Sequence, residues 1–191
     1  MEAKELLEVL EVAARLKKNV RHCWIEEDRR ESVADHSWRI ALLAMLLSKE
    51  EDFKDIDMDK VIRMCLIHDL GEAFTGDIPT FLKSDSDADK EDDIFLRWVE
   101  GFSSPQREEW LSLLEEMIEL RTKEALVYKT LDKFEALISH NESDIKTWLP
   151  LEYDLQLTYG QELRGNVPYL DTLRDVIDEW TKKKIAEEKK D

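Results

Sequence analysis

The chain has 191 residues, with 28 Lys and Arg against 45 Asp and Glu, a formal net charge of −17. That length suits one domain with a real core, and 42% apolar with 38% charged residues is a globular rather than a disordered mixture. The acidity opposes the phosphate neutralisation that binding a nucleic acid polymer demands, and leaves room only for a local basic pocket.

With 5 Gly and 4 Pro the chain has few places to reverse, so long helices are expected. Leu6, Leu7, Leu10, Ala13 and Ala14 recur at helical spacing, which predicts an amphipathic helix over about 3–18. Residues 21–31 show no such period and read as a polar loop. Ser32 with Asp35 three residues on has the form of a capping box, opening a helix faced by Ile40, Leu43, Ala44 and Leu47. Asp57 is placed to cap the next, with Val61, Ile62, Cys65 and Leu66 on one side.

Gly71 and Gly76 bracket a break. A weaker helical pattern follows over about 87–100 through Ile94, Phe95, Trp98 and Val99, after an acidic run that suits a solvated loop or a helix start. Ser104-Pro105 marks another start, with Trp110, Leu113, Leu114, Met117 and Ile118 beyond it. Thr122 is placed to cap a helix carrying Val127, Leu131, Phe134, Leu137 and Ile138, and Pro168 opens the last, through Leu170, Leu173, Ile177 and Trp180. Trp98, Trp110 and Trp180 are expected in the core, while Trp38 and Trp148 suit either packing or an interface. The expected fold is all-α and single-domain over residues 1–191, with C-terminal helices over about 145–188. No run approaches the roughly 18–20 apolar residues of a membrane span. The opening MEAKELLEVLEVAARLKK mixes charge with Leu and Val unlike a secretory signal. The two cysteines, Cys23 and Cys65, stand in unrelated contexts and suggest a reducing, cytoplasmic setting.

Two of the four histidines fall where hydrophobic side chains belong. His36 lies four residues before Ile40 and His68 three after Cys65, both on apolar faces, and Asp69 follows His68 directly. Imidazole and carboxylate together form a ligand set for Zn, Mn, Co, Fe or Ni, with carboxylate-rich sites leaning toward Mn and Mg. A lone histidine on such a face is ordinarily a hydrogen-bonded core residue; the pair beside a carboxylate leaves the two readings balanced. Glu72 stands one helical turn after His68 and can point the same way, for proton transfer, to orient a ligand, or simply as a surface side chain. Lys17, Lys18 and Arg21 form the one basic cluster of the first half, and Arg21 has the planar fork suited to phosphate. Asp77, before Pro79, reads locally as a turn residue, and Asp132 lies at the margin of an apolar face.

The segments ESVADHSWRIALLAMLL, RMCLIHDLGEAFTGDIPTFLK and YKTLDKFEALI resemble the motifs of HD-domain phosphohydrolases, most nearly their 5'-deoxynucleotidase branch. The signature H…HD…D falls on His36, His68-Asp69 and Asp132, and the narrower HDxxExxxGDxPT runs from His68 to Thr80. The resemblance spans about 15–140 and leaves the C-terminal fifty residues unmatched. It implies one divalent ion held by His36, His68, Asp69 and Asp132, with Glu72 and Asp69 catalytic. It further implies Arg21 on the phosphate, Asp77 selecting the sugar, and Lys83 as a further phosphate contact. His22 replaces a Trp that some relatives set against the sugar, and Trp24 stands close enough in sequence to supply an aromatic wall instead. A homodimer is expected on the same ground.

The function these readings support is metal-dependent hydrolysis of (deoxy)nucleoside 5'-monophosphates, a small-molecule substrate. A nucleotide phosphodiesterase or triphosphohydrolase is the rival within the superfamily, though His22 and His140 supply no extra ligand set for it. A non-catalytic nucleotide sensor is the other. Because the substrate is an anion, the net charge of −17 requires a compact, locally positive pocket.

Overall fold

The computed structural model describes residues 1–188; the end of the charged C-terminal run, 189–191, lies outside them. Helix α1 (Ala3–Ala13) passes through a 3-10 turn into a hairpin of β1 (Val20–Glu26) and β2 (Arg29–Ser32). Then come α2 (Val33–Leu47), α3 (Met58–Ile67) and the single turn α4 (Glu72–Thr75). Helices α5 (Asp85–Glu100), α6 (Gln106–Glu119), α7 (Lys123–Glu142), α8 (Glu152–Thr158) and α9 (Pro168–Glu188) complete the chain. The fold is helical, as its composition requires.

Capping chemistry sets most of the boundaries. Ser32 and Asp35 form the reciprocal capping box, Asp57 accepts from the Lys60 amide, and Thr122 from the Ala125 amide. The acidic run is a helix start, because Ser84 and Asp87 make a second capping box. Pro105 precedes its helix by one residue rather than opening it.

The loop expected over 21–31 is instead the antiparallel hairpin. Its pairing shifts register between Val20 and Trp24 and again before Glu26, and this irregularity hid the strand's period of two. The same departure lets the consecutive Arg21 and His22 line one cavity, as strict alternation forbids.

Helices α2, α3 and α7 pack against one another around Ile40, Ala44, Val61, Cys65 and Leu131, all fully buried. Gly71 fits this frame only as glycine: a Cβ there would lie 2.8 Å from Glu91 Cγ and 3.3 Å from the Glu91 carbonyl. Gly76 takes φ +78° and turns the chain out of α4 toward Asp77. Trp98 and Trp110 pack on the core, and Trp148 is buried with its Nε1 donating to the His140 carbonyl at 3.1 Å. Trp180, expected inside, is 40% exposed, because α9 turns that side away from α7. Leu6, Leu7, Leu10, Trp38 and Leu66 are likewise exposed, so the apolar stripe of α1 faces outward.

Candidate metal centre and substrate cavity

The junction of α2, α3 and α7 brings the motif histidines together. The rings of His36 and His68 lie 5.4 Å apart, and both side chains are almost wholly buried. His68 Nδ1 lies 2.9 Å from the Cys65 carbonyl, which can only accept, so Nδ1 carries the proton. His36 Nδ1 is hydrogen-bonded to the Glu135 carboxylate with the same consequence. Both Nε2 atoms therefore turn toward one point, the arrangement that outer carboxylates and carbonyls give metal-binding histidines.

Asp132 Oδ1 lies 3.1 Å from His36 Nε2 and 3.7 Å from His68 Nε2. Asp69 Oδ2 lies 3.0 Å from His68 Nε2 and 3.9 Å from His36 Nε2. Ligands at roughly 2.0–2.2 Å from one ion are separated by about 3–4 Å, so these donors suit a single centre. A more specific indication comes from what is left unpaired. His68 Nε2 and Asp69 Oδ2 are buried and close, yet neither makes a hydrogen bond, since the pair misses hydrogen-bond geometry. Two buried polar atoms left this way fit a shared cation.

Burial works against charge on His68, and Asp69 with Asp132 more than reverses it, holding the imidazolium up to about 10. Burial likewise raises Asp69, but His68 and His36 outweigh it and keep the carboxylate ionised. On the far side, Lys129 Nζ holds Asp132 Oδ2 at 2.7 Å, fixing that carboxylate with Oδ1 inward.

A cavity of about 380 Å³ opens from this point. Arg21, half-hidden, reaches in with Nε 3.1 Å from Glu31 Oε2 and Nη1 3.7 Å from Asp69 Oδ2. Burial disfavours its charge, but Asp69, Glu31 and Glu135 more than compensate. Glu72 is buried against the same wall, its Oε2 without a partner. Burial first, then the carboxylates of Asp69, Asp77 and Glu91, push it up to about 9 against the opposing Arg21. Asp77 lines the cavity half-buried, and desolvation raises its carboxyl. Lys83 also lines it, tied to Glu91 Oε2 at 2.8 Å. Lys129 and Lys133 add to Arg21 and Lys83, but Glu31, Asp69, Glu72, Asp77, Asp132 and Glu152 line the same cavity, so its side chains alone do not make the locally positive pocket expected from the sequence.

His22 borders the cavity too, its Nε2 3.3 Å from Glu152 Oε1. Trp24 does not: Arg30 stacks over its ring at 4.8 Å, and the aromatic walls are Phe81 and Tyr159.

Several participants carry no local signal in the sequence. Glu135 was the most accessible of them, since it stands one turn after Asp132 on a face otherwise filled by Leu131 and Phe134. Glu31 reaches Ser139 Oγ at 2.7 Å across more than a hundred residues, which no pattern foretells. His140, Glu152 and Gln156 come from the stretch without motifs.

Comparison with known proteins identifies the family and the fold. Residues 13–169 match the HD domain family model. The chain is 33% identical over 144 residues to the 5'-deoxynucleotidase HDDC2 of Dictyostelium discoideum, covering 71% of this chain and 76% of that one. It is 28% identical to the 5'-deoxynucleotidase hdd1 of Schizosaccharomyces pombe, over 89% of this chain and 87% of the relative. A solved structure described as a predicted metal-dependent phosphohydrolase, from Magnetospirillum magnetotacticum, shares the fold with a TM-score of 0.79 and 23% identity over 95% of each chain. The motifs, the helical frame and the inward-facing histidines thus have one common explanation: the chain belongs to the HD domain family, among its 5'-deoxynucleotidases.

Proposed function

We propose that the protein is a divalent-metal-dependent phosphomonoesterase that releases phosphate from deoxynucleoside 5'-monophosphates. The observation that carries this reading is the buried, unpaired His68 Nε2–Asp69 Oδ2 contact at 3.0 Å, set at the mouth of a cavity that also holds Arg21. His36, His68, Asp69 and Asp132 would hold the ion. When bound, a divalent ion polarises a phosphoryl oxygen and makes water acidic enough to attack near neutral pH.

The chain supplies the rest. Arg21, braced by Glu31, presents its remaining N–H groups to the phosphate oxygens and offsets their charge. Hydrolysis takes a proton from water and returns one to the departing sugar oxygen. Glu72, with its carboxyl held near 9, carries a proton at neutral pH and is placed for the donating half. Asp77 stands beyond it as the sugar contact, and Lys83, steadied by Glu91, adds positive charge. The motif-bearing residues and helix α8 enclose one cavity, which supports a single functional unit over the chain.

The physiological setting extends the same reading. Two buried free thiols, Cys23 and Cys65, suit a reducing cytoplasm, and among the described residues no helix is long and apolar enough to cross a membrane. The outward stripe of Leu6, Leu7 and Leu10 beside Trp38 and Leu66 is the surface suited to a homodimer.

The test is a panel of deoxynucleoside and ribonucleoside 5'-monophosphates with protein loaded in turn with Co, Mn, Zn, Ni, Fe and Mg. Phosphate release that favours the deoxy series and vanishes in Asp69→Ala is expected. Release of triphosphate from a deoxynucleoside triphosphate would favour the triphosphohydrolase reading. Equal activity in Asp69→Ala would refute both.

A further inference from the structure

The cavity runs on past the metal side into a half built from other elements. Asp132 and His140 lie on α7, eight residues apart, and that spacing is about 12 Å along a helix. Between them Ala136 lines the cavity with only a methyl group, leaving room at mid-length. The separation is on the scale of a nucleotide from its phosphate to the outer edge of its base.

At this far end, His140 Nε2 lies 3.0 Å from Glu152 Oε1, and His22 Nε2 3.3 Å from the same oxygen. The other Glu152 oxygen takes the Leu149 amide at 2.6 Å, so this carboxylate holds His140 and the start of α8, while buried His22 Nε2 makes no hydrogen bond to it. The His22 and His140 rings stack at 26° with centroids 6.2 Å apart, and Phe81 meets His22 edge-on at 5.5 Å. Tyr159 completes the wall, with Lys133 Nζ 4.7 Å from its ring centroid and its hydroxyl 3.4 Å from Thr80 Oγ1.

One turn along α8 from Glu152, Gln156 lines the same space. It is 3% exposed, and its Nε2 is buried with no hydrogen-bond partner. Its backbone carbonyl is taken by Arg174 Nη2 at 3.2 Å, which fixes where the side chain starts. A buried carboxamide nitrogen without an acceptor is costly unless something entering the cavity supplies one. The Watson–Crick edge of every nucleobase carries a donor beside an acceptor, the complement of a carboxamide.

We propose that this half of the cavity is the nucleobase subsite, in which Gln156 pairs with the polar edge of the base between the rings of His22, Phe81 and Tyr159. The inference rests on the nucleotide reading given above and adds to it a specificity-determining residue. It also gives the C-terminal segment a role of its own.

The experiment compares deoxynucleoside 5'-monophosphates with deoxyribose 5-phosphate, which has no base, on metal-loaded protein and its Gln156→Leu variant. For the nucleotides kcat/KM should fall roughly tenfold, through KM, while deoxyribose 5-phosphate is hydrolysed as before. Gln156→Glu, which keeps the acceptor and removes the donor, should reorder the preference among the four bases and serves if the leucine variant does not fold. Equal losses on both substrates, or no loss on either, would overturn the proposal. A parallel measurement needs no turnover: saturation-transfer NMR should detect deoxynucleoside binding to the parent and not to Gln156→Leu. Parent protein that cleaves neither substrate would sink the phosphomonoesterase reading, and the NMR comparison would still decide the subsite. Deoxynucleoside bound equally by parent and variant overturns it.

Discussion

Two clusters of buried charge lie on either side of α7, and they are built on opposite principles. On the α9 side, Arg174 is wholly buried, with Nε on Asp178 Oδ1 at 2.7 Å, Nη2 on the Gln156 carbonyl at 3.2 Å and Nη1 on the Tyr159 carbonyl. Asp178 Oδ2 in turn receives Gln161 Nε2 at 3.1 Å. On the α2–α3 side, His68 Nε2, Asp69 Oδ2, Glu72 Oε2 and Glu31 Oε2 are buried without hydrogen-bond partners. Burial of charge is common to both, so burial does not mark a site. Satisfaction separates them: the Arg174 cluster is complete and joins α8 to α9, whereas the histidine cluster is complete only with something bound.

The sharpest way to break this contrast is at Asp69. Asp69→Ala should lose bound divalent ion and at least about a thousandfold in phosphate release, the scale of several kcal/mol of lost charge stabilisation. Its melting temperature in ion-free buffer should fall by less than that of Arg174→Met, since Asp69 Oδ2 makes no hydrogen bond and Asp132 still faces His68 once the Asp69 charge is gone. Arg174→Met should do the reverse. Stability by urea titration is expected to fall by about 3 kcal/mol, because buried Asp178 Oδ1 and the Gln156 and Tyr159 carbonyls all lose their donor, while the folded fraction still takes up the ion. A smaller effect is expected from Glu135→Gln, which leaves the His36 ring in place but weakens its orientation, reducing ion affinity about 10–100-fold by calorimetry.

The smallest expected effect concerns pH. The Glu72 carboxyl is raised from 4.5 to about 9, chiefly by burial and then by Asp69. Its contribution to stability is therefore full below pH 4.5 and is lost as pH rises through about 9. Glu72→Gln cannot ionise, so in ion-free buffer the parent should melt lower than the variant at pH 9, by roughly 2 °C or more. The two should converge at acid pH.

The same contrast explains how much could be read in advance. Helices with local determinants were legible: Ser32 with Asp35, Asp57 and Thr122 each cap where the sequence places them. The inward aim of His36 and His68 followed from their spacing to Ile40 and Cys65. The hairpin was not legible, because its register shifts remove the alternation that marks a strand. Nor were Glu31, His140, Glu152 and Gln156, whose partners lie in distant segments or in a stretch with no motif. Asp132 sits between these cases. Its place at the margin of an apolar face looks like surface, and only the fold shows that the margin is the cavity wall. Trp180 shows the converse, since helical periodicity placed it inside and the path of α9 leaves it in solvent.

The most direct test is a titration of chelated, ion-free protein with a divalent ion, with protons released counted alongside. One ion per chain is expected, with protons released as His68 gives up the proton that Asp69 and Asp132 hold on it. Binding should weaken as pH falls, and His36→Ala, His68→Ala and Asp69→Ala should each abolish it. Full stoichiometric binding in all three variants, or no binding by the parent across the same set of metals, would contradict the assignment of this cluster as the metal centre.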